Sequence, residues 1–311
     1  MPSRLSLLRG TAAAGFAVAL PNLAQAETPM LRIGSTFADG FAEPFYADSL
    51  GTFKKAGFDV TITKFPSGPT MMPALLGGSL DIGISDTVSL GTAIVKGAPF
   101  VLVAGAGMHR SVKPEDALCV AIDSPIRAPH DLIGKTVAVL SLRGITEIAL
   151  WTWLERNGMT SDQLNFVELP LTQMAAAIAR GTVAAGFVAE PYLSQNRDKT
   201  LRVLAIPFDA IAPQFLISSW FTSKAYLQDN RALVKRYVDV IYDTARWANA
   251  HQNLSAPILA TVANVPLETV LATTRINYGT SLDPTLLDPV FAAMFKFGVI
   301  PRRLTATEFS V

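Results

Sequence analysis

Apolar positions along this chain fall into two rhythms. From Asp59 to Phe65 they alternate, with Val60 and Ile62 on one side, as a half-buried strand requires. Short apolar runs at Leu31-Arg32-Ile33-Gly34-Ser35, Ile82-Gly83-Ile84 and Phe100 to Ala104 predict three more strands. Helical stretches lie between them: Phe45 to Ala56 closed by Gly57, Met71 to Leu76 opened by Ser67-Gly68-Pro69-Thr70, and Val88 to Lys96 closed by Gly97. A glycine just past a helix end supplies the left-handed residue that stops it, and a proline early in a first turn is tolerated there. The rhythm then restarts. Thr136 to Leu140 predicts a strand, Arg143-Gly144 a tight turn, and Thr146 to about Asn157 a helix closed by Gly158; Asn165 to Leu169, Thr172 to Arg180 and Ala184 to Val188 predict strand, helix and strand. This alternation predicts an α/β fold with a mostly parallel sheet covered by helices on both faces.

One stretch recurs. Shifted by about 103 positions, Ala74 to Thr87 lies on Ala177 to Glu190, each a small-residue helix end, a glycine turn at Gly78 or Gly181, and a short apolar strand ending in polar groups. Two copies of one unit predict two similar α/β halves. After the second copy, Leu201 to Ile206 and Phe215 to Phe221 are apolar runs, and Lys224 to Val311 reads almost entirely as helices. In that segment Val234, Tyr237, Val238, Ile241 and Tyr242, and again Leu287, Val290, Phe291, Met294 and Phe295, recur at helical spacing and are expected in the core. The chain is expected to cross between lobes near Lys113 to Cys119 and to return near Pro213 to Phe221. Residues 27–114 with 215–311 then form one discontinuous lobe, and 115–214 the other. Ligands of open α/β sheets bind beyond the carboxyl ends of the strands, so two facing edges predict a cleft. Two crossing segments predict a hinge.

The start of the chain bears on compartment. Arg4 and Arg9 flank a basic beginning, Thr11 to Leu20 is almost wholly apolar or small, and Ala24-Gln25-Ala26 reads as a cleavage site, the layout of an export signal. Cleavage after Ala26 leaves no cysteine at the new N-terminus, so no lipid anchor is expected and the mature protein is predicted outside the cytoplasm. Losing Arg4 and Arg9 moves the formal net charge from +1 to −1. Nucleic acid is thereby disfavoured, since a phosphate-binding surface needs a basic excess. Cys119, the single cysteine, lies in an apolar run and is expected to be a buried hydrophobe.

Catalytic and metal chemistry find little support. His109, His130 and His251 have no metal-ligand spacing with one another or with Cys119, and no Gly-x-Ser-x-Gly elbow occurs. Val103 to Arg110 begins like a dinucleotide turn, but Arg110 stands where the third glycine belongs. No cofactor is expected.

The joint order of Leu31-Arg32-Ile33-Gly34, Phe53 to Val60, Ala74 to Asp86, Lys96-Gly97-Ala98-Pro99, Asp131 to Val139 and Glu190-Pro191, behind an export signal, resembles the periplasmic substrate-binding proteins of ABC importers. Within these it is most similar to the nitrate/sulfonate/taurine group, which includes thiamine-precursor pyrimidine binders. The likeness runs to about Tyr192. It implies a type II two-lobed binding-protein fold, capture of a small solute by lobe closure, and delivery to a membrane permease by an expected monomer. It also places contacts at Ser35, Thr36 and Phe37, at Ser67 and Gly68, and at Asp86 and Thr87, all at strand ends or helix starts.

In the second half Arg143, Gly144 and Thr146 occupy the matching turn; Arg143 offers a planar donor fork suited to carboxylate or sulfonate. Sulfonate binders often carry Gly-Ser there, whereas here Ile145 follows Gly144. Phe37, Phe41, Phe45, Tyr46 and Trp220 are candidates for apolar walls, and Asp86 and Glu190 are placed to accept from an amine or hydroxyl. The expected ligand is a small organic anion, a sulfonate or carboxylate, aromatic or amino-bearing. An enzyme on the same scaffold is the alternative, because fold alone does not decide function.

Overall fold

The computed structural model describes residues 28–305 and 308, so the export signal lies outside the described residues. The first part of the chain forms β1 (Met30–Ser35), α1 (Glu43–Ser49), α2 (Thr52–Lys55), β2 (Asp59–Lys64), α3 (Met72–Leu76), β3 (Gly83–Asp86), α4 (Thr87–Val95), β4 (Phe100–Gly105) and β5 (Gly107–Arg110). Next come β6 (Asp116–Ala121), β7 (Thr136–Val139), α5 (Ile145–Arg156), β8 (Asn165–Glu168), α6 (Leu171–Ala179), β9 (Ala185–Ala189), α7 (Tyr192–Asn196) and β10 (Leu201–Ala205). The rest is β11 (Gln214–Leu216), β12 (Ser218–Ser223), α8 (Lys224–Asp229), α9 (Arg231–Ala250), α10 (Gln252–Ala263), α11 (Leu267–Ala272), β13 (Asn277–Tyr278) and α12 (Pro284–Lys296).

Most strands sort into two groups, and β11, β5 and β13 form a further three-stranded sheet. In one, β1 pairs with β2 in parallel and touches β3 through an Ile33–Ile82 bridge, while β12 lies between β3 and β4. In the other, the order is β10-β6-β9-β7-β8. A mostly parallel sheet is the expectation, and β7 with β8 and β9 meets it. The strands that follow each crossing correct it: β6 runs antiparallel to β9, and β12 antiparallel to both β3 and β4. A strand arriving from the other lobe enters its new sheet from the opposite end, so its direction is reversed.

Two helix boundaries also differ. The stretch from Phe45 to Ala56 is two helices rather than one, broken where Gly51 takes φ 66°. The C-terminal segment is not wholly helical, because Asn277–Tyr278 forms β13, which pairs with β5. Of the predicted stripes, Val234, Tyr237, Ile241, Leu287, Val290, Phe291 and Met294 are buried, whereas Phe295 is 48% exposed. Tyr237 carries α9 into the core. It stacks on Phe53 at 6.2 Å and meets Trp220 edge-on at 5.6 Å.

The recurring unit is structural. In the first copy the N–H groups of Gly77, Gly78, Ser79 and Leu80 donate to the carbonyls of Pro73, Leu75, Ala74 and Ala74. In the second, Arg180, Gly181, Thr182 and Val183 donate to Ala176, Ile178, Ala177 and Ala177. Every pair keeps the same offset. Gly78 and Gly181 sit at φ 70° and 71°, the left-handed conformation such helix ends need.

Candidate functional site

The carboxyl ends of strands from both lobes meet at a cavity of about 90 Å³. The connection after β1 contributes Thr36, Phe37, Asp39 and Phe41, and the end of β3 contributes Asp86. From the other lobe come Glu115 and Asp116 at the head of β6, Leu140 after β7, Ile145 and Thr146 at the start of α5, Leu171 and Thr172 at the start of α6, and Glu190 after β9. Phe208 and Ile276 complete apolar parts of the wall. Phe37, Leu171 and Thr172 also border an outer groove of about 940 Å³, where Lys64 and Arg180 lie. The Lys64 ammonium is engaged: it donates to Val262 O at 3.1 Å and sits 5.4 Å from the ring centroids of Phe37 and Phe45.

Beneath the cavity floor Asp39 is fully compensated. Arg275 grips it through Nε at 2.7 Å and Nη2 at 3.0 Å, Tyr46 donates to it at 3.1 Å, and the Ile276 N–H donates at 3.1 Å. Tyr278 donates to the Asp39 carbonyl. Buried charges are tolerated when paired and hydrogen-bonded in this way. The network fastens the tail between α11 and β13 to the connection after β1.

Asp86 joins the lobes. Its Oδ1 accepts from Ser89 N–H at 2.9 Å, capping α4, and from Ile145 N–H at 3.1 Å, the first residue of α5. Burial pushes its carboxyl up, against the hydrogen bonds from Ser89 and Ile145. A second link runs from Asp39 N–H to Glu190 O at 3.3 Å. Further out, Tyr192 donates to Ala263 O at 3.1 Å, Trp151 meets Phe297 at 5.8 Å, and Lys296 pairs with Glu155.

The remaining acids cluster. β6 and β9 are antiparallel neighbours, and Glu190 N–H donates to Glu115 O at 2.9 Å. Glu190 accepts from Ser194 N–H and Oγ, each at 2.8 Å. Burial, aided by the neighbouring carboxylates, pushes Glu115 well above the ordinary range and Asp116 up to about 8, and burial also raises Glu190. No lysine, arginine or histidine side chain lines this cavity. Polar hydrogens come instead from helix starts, because the first N–H groups of a helix lack intrahelical acceptors and carry the positive end of its dipole. α5 and α6 both open here. Thr146 Oγ1 accepts from Leu140 N–H at 3.3 Å, which leaves the hydroxyl hydrogen available.

Of the residues expected from sequence, the cavity wall contains Thr36, Phe37, Phe41, Asp86, Thr146 and Glu190. The others stand elsewhere, each for a physical reason. Ser35 Oγ donates to Phe41 O and is buried beneath the wall. Tyr46 is held by Asp39 and Arg275, and Trp220 is fully buried with Nε1 donating to Glu43 at 2.8 Å, so both are core. Ser67 accepts from Thr70 through its carbonyl, and Gly68 packs so closely on β3 that a Cβ would fall 2.5 Å from Ser85 Cα. Thr87 Oγ1 donates to Leu216 O at 2.7 Å. Arg143 takes φ 55°, its side chain is exposed, and its N–H is taken by the Glu147 carboxylate. Gly144 packs against Ser141, where a Cβ would lie 2.0 Å from Oγ and 3.1 Å from the backbone carbonyl oxygen. Sequence reasoning missed Asp39, Glu115, Asp116 and Arg275. A signal existed for two of these: Glu115-Asp116 stands directly before the apolar run Ala117 to Ile122, so the acids had to enter a buried strand.

Comparison with known proteins agrees with this architecture. A putative aliphatic sulfonates-binding protein of Escherichia coli (strain K12) is 25% identical over 234 residues, covering 75% of this chain and 70% of the relative. The taurine-binding periplasmic protein of the same strain is 26% identical over 240 residues, covering 72% and 71%. In structure, the alkanesulfonate-binding protein SsuA from Xanthomonas axonopodis pv. citri bound to MOPS superposes with a TM-score of 0.76 at 20% identity, over 92% of this chain and 99% of that one. The family model described as NMT1/THI5 like matches residues 39–254, and the chain belongs to that family of two-lobed, periplasmic-binding-protein-fold proteins.

Proposed function

We propose that this protein is an extracytoplasmic solute-binding protein that captures a small organic acid between its lobes and hands it to an ABC permease. The observation that carries this reading is the meeting of two helix starts, α5 and α6, on one cavity whose walls come from both lobes. Helix N-termini favour anions through their unpaired N–H groups. The reading takes residues 27–114 with 215–311 as one lobe and 115–214 as the other, hinged at the two crossings. Thr36, Phe37, Asp86, Thr146 and Glu190 are its ligand-facing residues. Phe37, Phe41 and Phe208 would cover a short alkyl part. A cavity of about 90 Å³ suits a short-chain sulfonate or carboxylate better than an aromatic one, since a dry cavity that admits benzene measures about 150 Å³. Relatives that are named as sulfonate- and taurine-binding proteins support the same class. Export with cleavage after Ala26, a monomeric state and the absence of turnover belong to this reading.

A thermal-shift screen of the mature chain from Glu27 tests it, with sulfonates, carboxylates, amino acids, pyrimidines and nitrate as candidates. A ligand at 100 times its dissociation constant stabilises by about 2.7 kcal/mol. The expected result is one coherent class of small acids that raises the melting temperature, is recovered unaltered, and binds more weakly to Thr146→Ala. Chemical conversion of a hit would move the protein to the enzymes. Stabilisation confined to pyrimidines would contradict the acid assignment.

A further inference from the structure

We infer that the second-lobe wall of the cavity is a seat for a protonated amine, so that the captured solute is an amino-bearing acid; this rests on the reading of the cavity as the solute site. Five carboxyl side chains line the cavity, and no cationic side chain does. Three of them are provided for within the protein. Asp39 is held by Arg275, Asp86 by the Ser89 and Ile145 N–H groups, and Glu190 by Ser194. The Glu115 and Asp116 carboxyl groups receive no hydrogen bond or ion pair from another residue among the described residues.

Glu115 is only 3% exposed, yet its buried Oε1 meets no donor. Asp116 makes no side-chain hydrogen bond or ion pair among the described residues, although it faces the same space. A buried carboxyl oxygen without a donor costs free energy that a partner restores. An ammonium group brings three N–H donors and one positive charge. It would satisfy the Glu115 oxygen, reach Asp116, and lower the mutual repulsion of the acids on β6 and β9.

The lining of the same cavity also supplies what the rest of such a solute needs. Ile145, Thr146, Leu171 and Thr172 present two helix starts, which suit an acid group. A small solute that carries both an amine and an acid therefore matches the two kinds of group in this lining. A simple alkyl acid would leave the Glu115 oxygen unsatisfied. A bound divalent ion is the competing occupant, but no group of three or more potential ligands among the described residues has the arrangement to hold one.

Calorimetric titration of the mature full chain with matched pairs tests this directly: taurine against ethanesulfonate, β-alanine against propionate, and magnesium chloride alone. The amino member of a pair is expected to bind at least tenfold more tightly than its partner. In Glu115→Gln/Asp116→Asn that ratio is expected to collapse to within twofold. The circular dichroism and melting temperature of the variant report whether it has folded, and Glu115→Gln alone should lower the ratio if the double variant fails to fold. Equal affinities within every pair, or tighter binding of the member without nitrogen, would overturn the amine seat while leaving the solute site intact. Binding of magnesium alone would replace the amine with a metal. Failure of both members of every pair would remove the acid-binding reading and the amine seat together.

Discussion

Single residues carry sharp and separable consequences. Asp39 and Arg275 are 1% and 7% exposed and share two hydrogen bonds. Removing one partner of a buried pair strands the other charge and costs about 3–5 kcal/mol. Asp39→Ala is therefore expected to lower unfolding stability in urea by that amount, with the slope against denaturant unchanged. Asp116 makes a prediction in pH. Its carboxyl is pushed from the ordinary 3.8 to about 8, chiefly by burial, so the folded protein holds this proton more tightly than the unfolded chain does. The contribution is fully present below about 4 and is lost as pH rises towards 8. Glu115 and Glu190 shift in the same direction. Melting temperature should fall between pH 5 and pH 8, and fall less in Asp116→Asn; an identical fall in that variant would exclude Asp116 as a source. Cys119 is buried in β6, and burial pushes its thiol up to about 12. Iodoacetamide at pH 8 should leave it unmodified in the folded protein and alkylate it in urea, as mass spectrometry would read. A folded-state adduct would reopen nucleophilic chemistry at this position.

Among elements, the repeated helix-turn-strand unit permits an internal comparison. A Cβ on Gly78 or Gly181 would meet nothing within 4 Å, so only the left-handed backbone resists substitution. Gly78→Ala and Gly181→Ala should each cost about 1–2 kcal/mol, the penalty of a Cβ in that conformation. The strand glycines behave differently. A Cβ at Gly83 would fall 2.8 Å from Leu75 Cδ1, and one at Gly186 2.8 Å from Met174 Sδ and 3.0 Å from Ile178 Cδ1. Alanine there tests packing rather than dihedral, at about 1–3 kcal/mol. Chemical denaturation of the four variants checks both statements, and a large difference between Gly78→Ala and Gly181→Ala would break the equivalence of the copies. These glycines were legible because a helix end and a strand both impose local periodicities on sequence. The turns at Gly57, Gly97 and Gly158, all at positive φ, were legible for the same reason. The reversed directions of β6 and β12 were not, because strand polarity depends on which lobe the chain has just left. Nor was Arg275, which gives no local sign that it will be drawn into the interior by Asp39, a residue more than two hundred positions away. In the candidate site, position at a strand end or helix start singled out Thr36, Phe37, Asp86, Thr146 and Glu190, which line the cavity. The same rule also picked Arg143, which takes φ 55°, is exposed and does not line the cavity.

At the scale of the whole molecule, the lobes are held together by few polar links near the cavity, chiefly Asp86 with Ile145 and Asp39 with Glu190. Asp86→Ala removes one of these links and the cap of α4, at about 0.5–2 kcal/mol for the cap. X-ray scattering of the empty variant should give a larger radius of gyration than the parent, and an unchanged radius would mean that the outer contacts alone keep the lobes closed. The amide that Asp86 engages is the first of α5, the helix start that a solute's acid group would use. Under the proposed function, Asp86 is thus a tethered competitor for the solute. Being covalently attached, that competitor acts at an effective concentration fixed by the chain and not by dilution. Under that reading it would raise the solute level at which capture begins.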